Sequence, residues 1–275
     1  MMERSLSLWR TAGIVWWLGY REHALAPWSL VRTLLESLVV AVLLLFLGQL
    51  VDVGEGAARV YGSYLSWSLI GFALLQLCNA GTRELPRLYR EARESAWLDA
   101  LRMTGVDLRR LLVVLPVFAW SIAAARALLL LFFGWWASGF SGAWGPTVVA
   151  ALFLVIGALL FWAMGWIAGA FAVGGHHPEE VSRGVLLVHV LLGGIFFPRD
   201  LLPLGLQTLG GWLPIAPVID GMRGALMGGA SLAELHEPLA RALLLLVVLV
   251  ALGEGLMRRS LLRAARRGLL GRMWR

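Results

Sequence analysis

Long apolar runs that are almost free of charge constrain this chain more than any other feature of its sequence. Leu111–Trp136 and Pro146–Val173 together contain a single charged residue, Arg126. A membrane interior about 30 Å thick is crossed by about 20 helical residues, and lipid leaves no partner for unpaired backbone groups. The 275 residues are 59% hydrophobic and 15% charged, whereas soluble domains carry about 25% charged residues. We therefore predict an all-α integral membrane protein.

Six apolar stretches are long enough to be interpreted as transmembrane helices: Leu30–Val51, Gly62–Ala80, Leu111–Trp136, Pro146–Val173, Val185–Leu213 and Pro238–Met257. The fifth stretch differs from the others because Pro198, Arg199 and Asp200 divide it into two short apolar pieces. Proline interrupts helices, and irregular backbone at membrane depth occurs where protein surrounds it. We predict one crossing there, followed by a re-entrant segment.

The distribution of arginine predicts the orientation in the membrane. The chain has no lysine, and its net charge is +7. Seven arginines lie in Thr82–Arg110 and seven follow Met257, whereas Ala137–Gly145 contains none. Because basic residues concentrate in cytoplasmic loops, both termini are predicted to be cytoplasmic, with the protein in the inner membrane. The arginines flank apolar runs, so we expect them to face anionic lipid and not nucleic acid.

Three parts are predicted along the chain: an interfacial amphipathic helix over 1–28, a six-helix transmembrane domain over 29–257 and a basic cytoplasmic tail over 258–275. One face of the first helix carries Leu6, Trp9, Gly13, Trp16, Trp17 and Tyr20. Indole and phenol rings prefer the headgroup layer, although an ordinary juxtamembrane aromatic belt gives the same pattern. The start of the sequence lacks the pattern of a cleaved secretory signal, so the first span is expected to remain as an anchor.

Charges inside the apolar spans are assigned structural roles. Arg126 is expected to snorkel toward the outer interface. Arg32 with Glu36, and Glu254 with Arg258, are spaced as i,i+4 ion pairs on a helix. Ionisable residues in a membrane also serve as proton relays, and that function remains the alternative.

Metal binding and catalysis are not predicted. Cys78 is the only cysteine, so neither a disulfide nor a multi-cysteine metal site can form within one chain. His176 and His177 are adjacent and do not share a helical face, as the ligands of a helical metal site do. Pro178 suits a first helical turn and is predicted to begin the fifth span. No catalytic motif is present.

A charged segment between spans two and three is a candidate contact site for another protein. Glu91, Glu94, Asp99 and Arg102 can set a register by charge complementarity, and Trp97, Leu98 and Leu101 form a helical apolar stripe. Such a helix can dock in a groove. The alternative is a solvated loop helix with internal charge pairs.

The stretch Arg93–Thr104 resembles the coupling region of ABC-2 type permeases, the membrane subunits of ATP-driven exporters. In that family, an acidic segment precedes Gly-Thr-Leu-Glu, a leucine and then Thr-Pro. Asp99, Leu101 and Thr104 match this pattern, whereas Ala96, Trp97 and Gly105 differ from it. The residues predicted to couple to an ATPase are Glu91, Glu94, Trp97, Asp99, Leu101, Arg102 and Thr104.

A second resemblance to the same family lies after the fifth span. The sequence follows a Gly-x-Phe-Phe-Pro, Leu-Pro and Asp-x-x-Arg order in its segments 193–198, 202–203 and 213–223. A gate or pathway is predicted at Gly193, Gly194, Phe196, Phe197 and Pro198, with plain helix packing as the alternative. Asp220 and Arg223, three residues apart, are predicted to pair in an outer turn.

The resemblance implies a permease that works with a second copy or a paralogue and with two cytoplasmic ATPase subunits. The chain has no phosphate-binding loop, which requires lysine, so ATP and magnesium are expected on the partner and no cofactor on this chain. The expected cargo is an amphipathic, lipid-linked, glycan or drug-like molecule. A membrane-embedded enzyme acting on lipids and a gradient-driven carrier are the alternatives.

Overall fold

The computed structural model describes residues 8–24, 27–50, 64–94, 108–138, 143–174 and 178–266, and every regular element in these ranges is helical. The described ranges contain ten α-helices: α1 (Leu8–Ala24), α2 (Pro27–Leu50), α3 (Tyr64–Glu94), α4 (Leu108–Val114), α5 (Val117–Ser138), α6 (Trp144–Val173), α7 (Pro178–Leu192), α8 (Leu204–Gly211), α9 (Ile215–Leu226) and α10 (His236–Arg266). A 3-10 turn, Arg199–Leu201, lies between α7 and α8. The all-α prediction is confirmed.

Three helical segments are long and apolar enough to cross a membrane: Leu111–Ala137, Trp144–Val173 and His236–Ala264. They coincide with the third, fourth and sixth predicted spans. Two shorter apolar helical stretches, Leu35–Leu47 and Ser182–Leu192, lie at the first and fifth predicted spans. The described residues therefore contain three helical stretches of membrane-spanning length and apolar composition.

Helix α6 is the centre of the bundle, because its sequence is apolar on all sides and it packs against α3, α7, α9 and α10. A helix that is hydrophobic around its whole circumference belongs in a core or in lipid. Two apolar clusters surround it. The larger one is built around Leu69, Phe153, Phe161 and Ile219, and the smaller one, toward the charged end of α3, contains Trp166.

Helix α3 is longer than predicted. The expected span ended at Ala80, but the helix continues through Pro86 to Glu94. Leu85 and Tyr89 are buried in the smaller apolar cluster, so tertiary packing offsets the helix-breaking tendency of proline. One continuous helix therefore connects the interior of the bundle to a charged end.

The third predicted span is not uniform, because Leu115–Pro116 forms a turn between α4 and α5. The amide of Leu115 donates to Leu111, and the carbonyl of Pro116 accepts from Trp120, both at 2.9 Å. Proline has no amide hydrogen to continue the helical ladder. The irregularity is therefore local, and the two helices follow each other through it.

Helix α1 packs on the beginning of α5 and does not stand apart from the bundle. The indole nitrogen of Trp16 donates to Ser121 at 3.1 Å, and the Trp16 ring meets Phe118 edge-on. Trp9 and Trp17 remain exposed. The aromatic face predicted for this helix is therefore divided between a packing surface and the outside.

Two charged residues in the spans have partners that were not predicted. Arg126, for which snorkelling toward the outer interface was predicted, has its guanidinium 3.2 Å from Glu36 on α2. Glu254 pairs with Arg109 of α4 at 2.6 Å and not with its helical neighbour Arg258. Interhelical geometry, which sequence spacing does not contain, selects these partners. The local pair of Arg32 with Glu36 is confirmed, at 3.6 Å.

Candidate functional site

The candidate site is the helix break after α7, which consists of residues 193–199 and the side chains that hold them. The amide of Gly193 still donates to His189 at 2.9 Å, but Gly194 has φ +76 and turns the chain out of the helix. Glycine adopts this conformation without steric cost. Pro198 then precedes the 3-10 turn. The break therefore begins before the predicted interruption at Pro198, Arg199 and Asp200.

The broken segment rests directly on α3. Ile195 is fully buried, and a Cβ atom added to Gly71 would lie 2.6 Å from the Ile195 carbonyl oxygen. Phe196 meets Phe72 of α3 with their ring centroids 6.3 Å apart. The close approach requires a residue without a side chain at position 71.

Arg223 of α9 fastens the break to α3. Its guanidinium donates to the carbonyl oxygens of Gly194, Ile195 and Trp67 at 2.7, 2.9 and 2.8 Å. The same group lies over the Trp67 ring, 3.5 Å from the centroid, and Arg223 is only 6% exposed. Gly194 and Ile195 lie where the helical ladder has ended, and unsatisfied buried carbonyls are costly. Arg223 supplies the donors that the helix no longer provides.

Asp220 belongs to a separate ion pair, so the predicted pairing of Asp220 with Arg223 is wrong. Arg199 Nη2 donates to both Asp220 carboxylate oxygens, at 2.7 and 2.5 Å. The side chains are 20% and 29% exposed. The pair joins the 3-10 turn to α9, while Arg223 joins α9 to α3. Two neighbouring arginines thus hold the two ends of the break.

The residues predicted as a gate take part in this arrangement to different degrees. Gly193 and Gly194 form the turn itself, and Gly194 contributes an acceptor to Arg223. Phe196 is partly buried against α3. Phe197 and Pro198 are partly exposed at the end of the break. The segment is packed and hydrogen-bonded in this conformation.

The predicted coupling residues are only partly described. Glu91 pairs with Arg87 at 2.8 Å, and Glu94 pairs with Arg90 at 4.0 Å. Both pairs lie along the charged end of α3. Predicted residues outside the described ranges are Trp97, Asp99, Leu101, Arg102 and Thr104.

A small polar cleft lies beside the coupling end, between α3 and α7. It is lined by Asn79, Arg83, Glu84, Pro86, Arg87 and Ser182. Arg83 donates to the Asn79 side chain at 3.3 Å, and Ser182 donates to the Thr82 carbonyl at 3.1 Å. The first bond lies within α3, and the second joins α7 to α3 beside the cleft. In the described ranges, no cluster of three or more His, Cys, Asp or Glu residues can hold a metal.

Two important residues of the break were not assigned from sequence. Arg199 was interpreted only as an interruption of an apolar stretch, although a charge there and Asp220 beyond the next apolar piece could have suggested a pair. Trp67 gave no signal, because an aromatic residue in an apolar span is ordinary. Its contribution comes from the position of α9 in the fold.

No protein-family model matches the chain, and no curated protein matches it significantly.

The Arg199–Asp220 pair is expected to show a larger coupling energy than an exposed helical pair. Arg199→Gln, Asp220→Asn and the double variant should give a coupling of about 1–3 kcal/mol, as contacting residues do. The control is the more exposed pair Arg241–Glu237, 3.2 Å apart on α10, for which about 0.3–0.5 kcal/mol is expected. Thermal unfolding in detergent measures both cycles. Equal coupling in the two cycles would contradict the assignment.

Proposed function

We propose that this protein is the transmembrane subunit of an ABC-2 type exporter, driven by two separate ATPase subunits and paired with a second copy or a paralogue. The order of its motifs, from the coupling-region resemblance to the Gly-x-Phe-Phe-Pro and Asp-x-x-Arg segments, is the sequence support. The observation that carries the proposal is the continuity of α3 from the bundle core to the segment that contains the coupling residues.

A coupling element needs a rigid connection to the part of the protein that moves. Helix α3 contacts α5, α6, α7 and α9, and near its charged end Leu85 and Tyr89 are buried. Beyond them, Arg87 bridges Glu84 and Glu91 at 2.6 and 2.8 Å. Such i,i+3 and i,i+4 pairs stabilise an exposed helix end. A displacement applied at Glu94 would therefore move α3 as one body.

The break is positioned to receive such a displacement. Trp67 and Gly71 of α3 contact the Arg223 guanidinium and the Ile195 carbonyl, respectively. Rotation or translation of α3 would therefore alter the bonds that hold the chain after α7. In the proposed exporter, this link joins ATPase movement to a gate at Gly193–Pro198.

Six crossings are part of the proposal. Beyond the three segments of spanning length, α2, α3 and α7 would supply the first, second and fifth crossings. The 3-10 turn and α8 would form the re-entrant segment, and both termini would be cytoplasmic. Leu204 and Leu209 of α8 are exposed, as expected for a segment in contact with lipid or with a second subunit.

The sequence contains no lysine, and a phosphate-binding loop uses that residue. ATP hydrolysis is therefore assigned to a partner subunit. ATP and magnesium would bind to the ATPase subunits. The cargo would be an amphipathic, lipid-linked, glycan or drug-like molecule that leaves the cytoplasm. This chain would supply the pathway and the mechanical link.

The double variant Asp99→Ala, Leu101→Ala is expected to lose the ATPase partner. Removing a charge and an apolar anchor from a docking helix should weaken association at least tenfold, since each central contact contributes about 1 kcal/mol or more. Co-purification with the co-expressed ATPase and cargo-stimulated hydrolysis measure the effect. Asp200→Ala with Leu201→Ala, a matched pair at the break, is the control for association.

Unchanged association and unchanged stimulated hydrolysis in the Asp99→Ala, Leu101→Ala variant would reject the proposal. Loss of association in both double variants would also count against it, because the effect would then not be specific to the coupling residues. The measurement therefore requires equal yields of monodisperse protein for the two variants.

A further inference from the structure

A charged cluster lies on the outer surface of α2 and α5, away from the helix break. Glu36 forms ion pairs with two arginines: with Arg32 on its own helix at 3.6 Å, and with Arg126 on α5, which donates a hydrogen bond to it at 3.2 Å. The side chains of Arg32 and Glu36 are 77% and 56% exposed. We call these three residues the Glu36 cluster.

The Glu36 cluster adjoins an open apolar groove along α2. The groove is lined by Trp28, Val31, Arg32, Leu35, Glu36, Val39 and Val40. These positions recur at three- and four-residue intervals, so they form one stripe along the helix. Trp28, Leu35 and Val39 are more than half exposed. A charged group and a long apolar surface are therefore presented side by side.

The Glu36 cluster has an excess of positive charge and of hydrogen-bond donors. One carboxylate serves two guanidinium groups, which leaves a net charge of +1 on the three side chains. The Nε atom of Arg126 is buried and has no acceptor within the ranges that the structure covers. Charged groups facing lipid are costly unless they are paired. An anionic group bound at Arg32 would neutralise the excess.

The position of Arg32 along α2 fits the headgroup region of one leaflet. Arg32 lies about 7.5 Å along α2 from Pro27, at about 1.5 Å per residue. Trp28 lies nearer the beginning of the helix and is 79% exposed, as in an interfacial aromatic belt. The Arg32 side chain extends beside Glu36 and is 77% exposed, so a headgroup phosphate can approach its guanidinium there. The stripe from Leu35 to Val40 then lies where an acyl chain runs.

We propose that this surface binds one anionic phospholipid, with its phosphate on Arg32 and an acyl chain along Leu35, Val39 and Val40. Basic side chains close to the membrane surface attract anionic headgroups. A second copy of this chain is a less favourable occupant, because it would bring two clusters of net charge +1 together. The proposal does not depend on the exporter function, but it rests on the proposed crossing of the membrane by α2.

Lipid titration of delipidated protein, followed by native mass spectrometry, tests the site. The probes are phosphatidylglycerol and phosphatidylcholine with the same acyl chains. One phosphatidylglycerol is expected to bind about tenfold more tightly than phosphatidylcholine, because both lipids carry the phosphate but the choline group of phosphatidylcholine cancels its charge beside Arg32. Arg32→Gln should remove this preference. Arg183→Gln, at an exposed arginine of α7, is the matched control.

A second variant tests the groove independently of charge. Val39→Trp should weaken binding of both lipids by occupying the acyl-chain surface, while preserving the preference for the anionic headgroup. Excess inorganic phosphate should not displace the lipid, since it cannot use the groove. Displacement by phosphate alone, an equal response of Arg32→Gln and Arg183→Gln, or loss of a dimer in Arg32→Gln without a change in lipid preference would each overturn the proposal.

Discussion

Replacement of Arg223 by leucine is expected to destabilise the protein more than any other single change considered for the helix break. The guanidinium supplies donors to three carbonyls and stacks on Trp67. Leucine would leave the carbonyls of Gly194 and Ile195 buried without these donors, and each unsatisfied buried group costs about 1–3 kcal/mol. Loss of the cation–π contact adds about 1 kcal/mol. A total of about 3 kcal/mol or more is expected.

Thermal unfolding in detergent measures this effect, and graded variants separate its causes. Arg223→Lys keeps the charge but cannot reproduce a planar five-donor fork, so it should recover only part of the lost stability. Trp67→Phe should cost less than Trp67→Leu, because an aromatic face remains for the guanidinium. A shift for Arg223→Leu no larger than that for Arg241→Leu, at a partly exposed arginine of α10, would contradict the proposed fastening role.

The prediction of an Asp220–Arg223 pair shows what sequence spacing can and cannot provide. Spacing on a helix brings residues three apart onto neighbouring positions, and it correctly marks this turn of α9 as polar. It cannot include Arg199, whose approach to Asp220 depends on the direction that the chain takes after Gly194. The sequence shows that a charged residue lies in an apolar context. Which residue it pairs with is decided by tertiary geometry.

The helices themselves were easier to predict than their ends. Apolar runs located the bodies of α5, α6 and α10, because apolar burial needs no specific partner. The extension of α3 through Pro86 was not predicted, since it depends on Leu85 and Tyr89 packing against neighbouring helices. Pro86 and the charged residues around it suggest that the helix ends there, but the burial of Leu85 and Tyr89 stabilises its continuation.

The helix crossing between α3 and α6 leads to the second large expected effect. At Gly165, an added Cβ atom would overlap the carbonyl oxygen of Gly81, and at Gly81 it would overlap the carbonyl oxygen of Phe161. Both obstacles are backbone atoms, which cannot move aside as a flexible side chain does. Small residues permit such close helix approach in membranes. Gly165→Leu should therefore separate α3 from α6 and cost at least the 1–3 kcal/mol typical of overpacking.

Alanine variants give a sharper test, because helix propensity predicts that alanine raises the stability of the protein, whereas tertiary packing predicts that it lowers it. Alanine favours a helix interior by about 1 kcal/mol over glycine. At Gly255 of α10, nothing lies within 4 Å of an added Cβ atom, so Gly255→Ala should leave the protein as stable or more stable. Gly165→Ala and Gly81→Ala should instead lower the unfolding temperature. An unchanged or raised unfolding temperature in both variants would show that α3 and α6 do not cross with their backbones in contact.

The same variants also connect packing to the proposed mechanical link. If α3 transmits motion through this crossing, Gly81→Ala should reduce cargo-stimulated ATP hydrolysis while the ATPase still co-purifies.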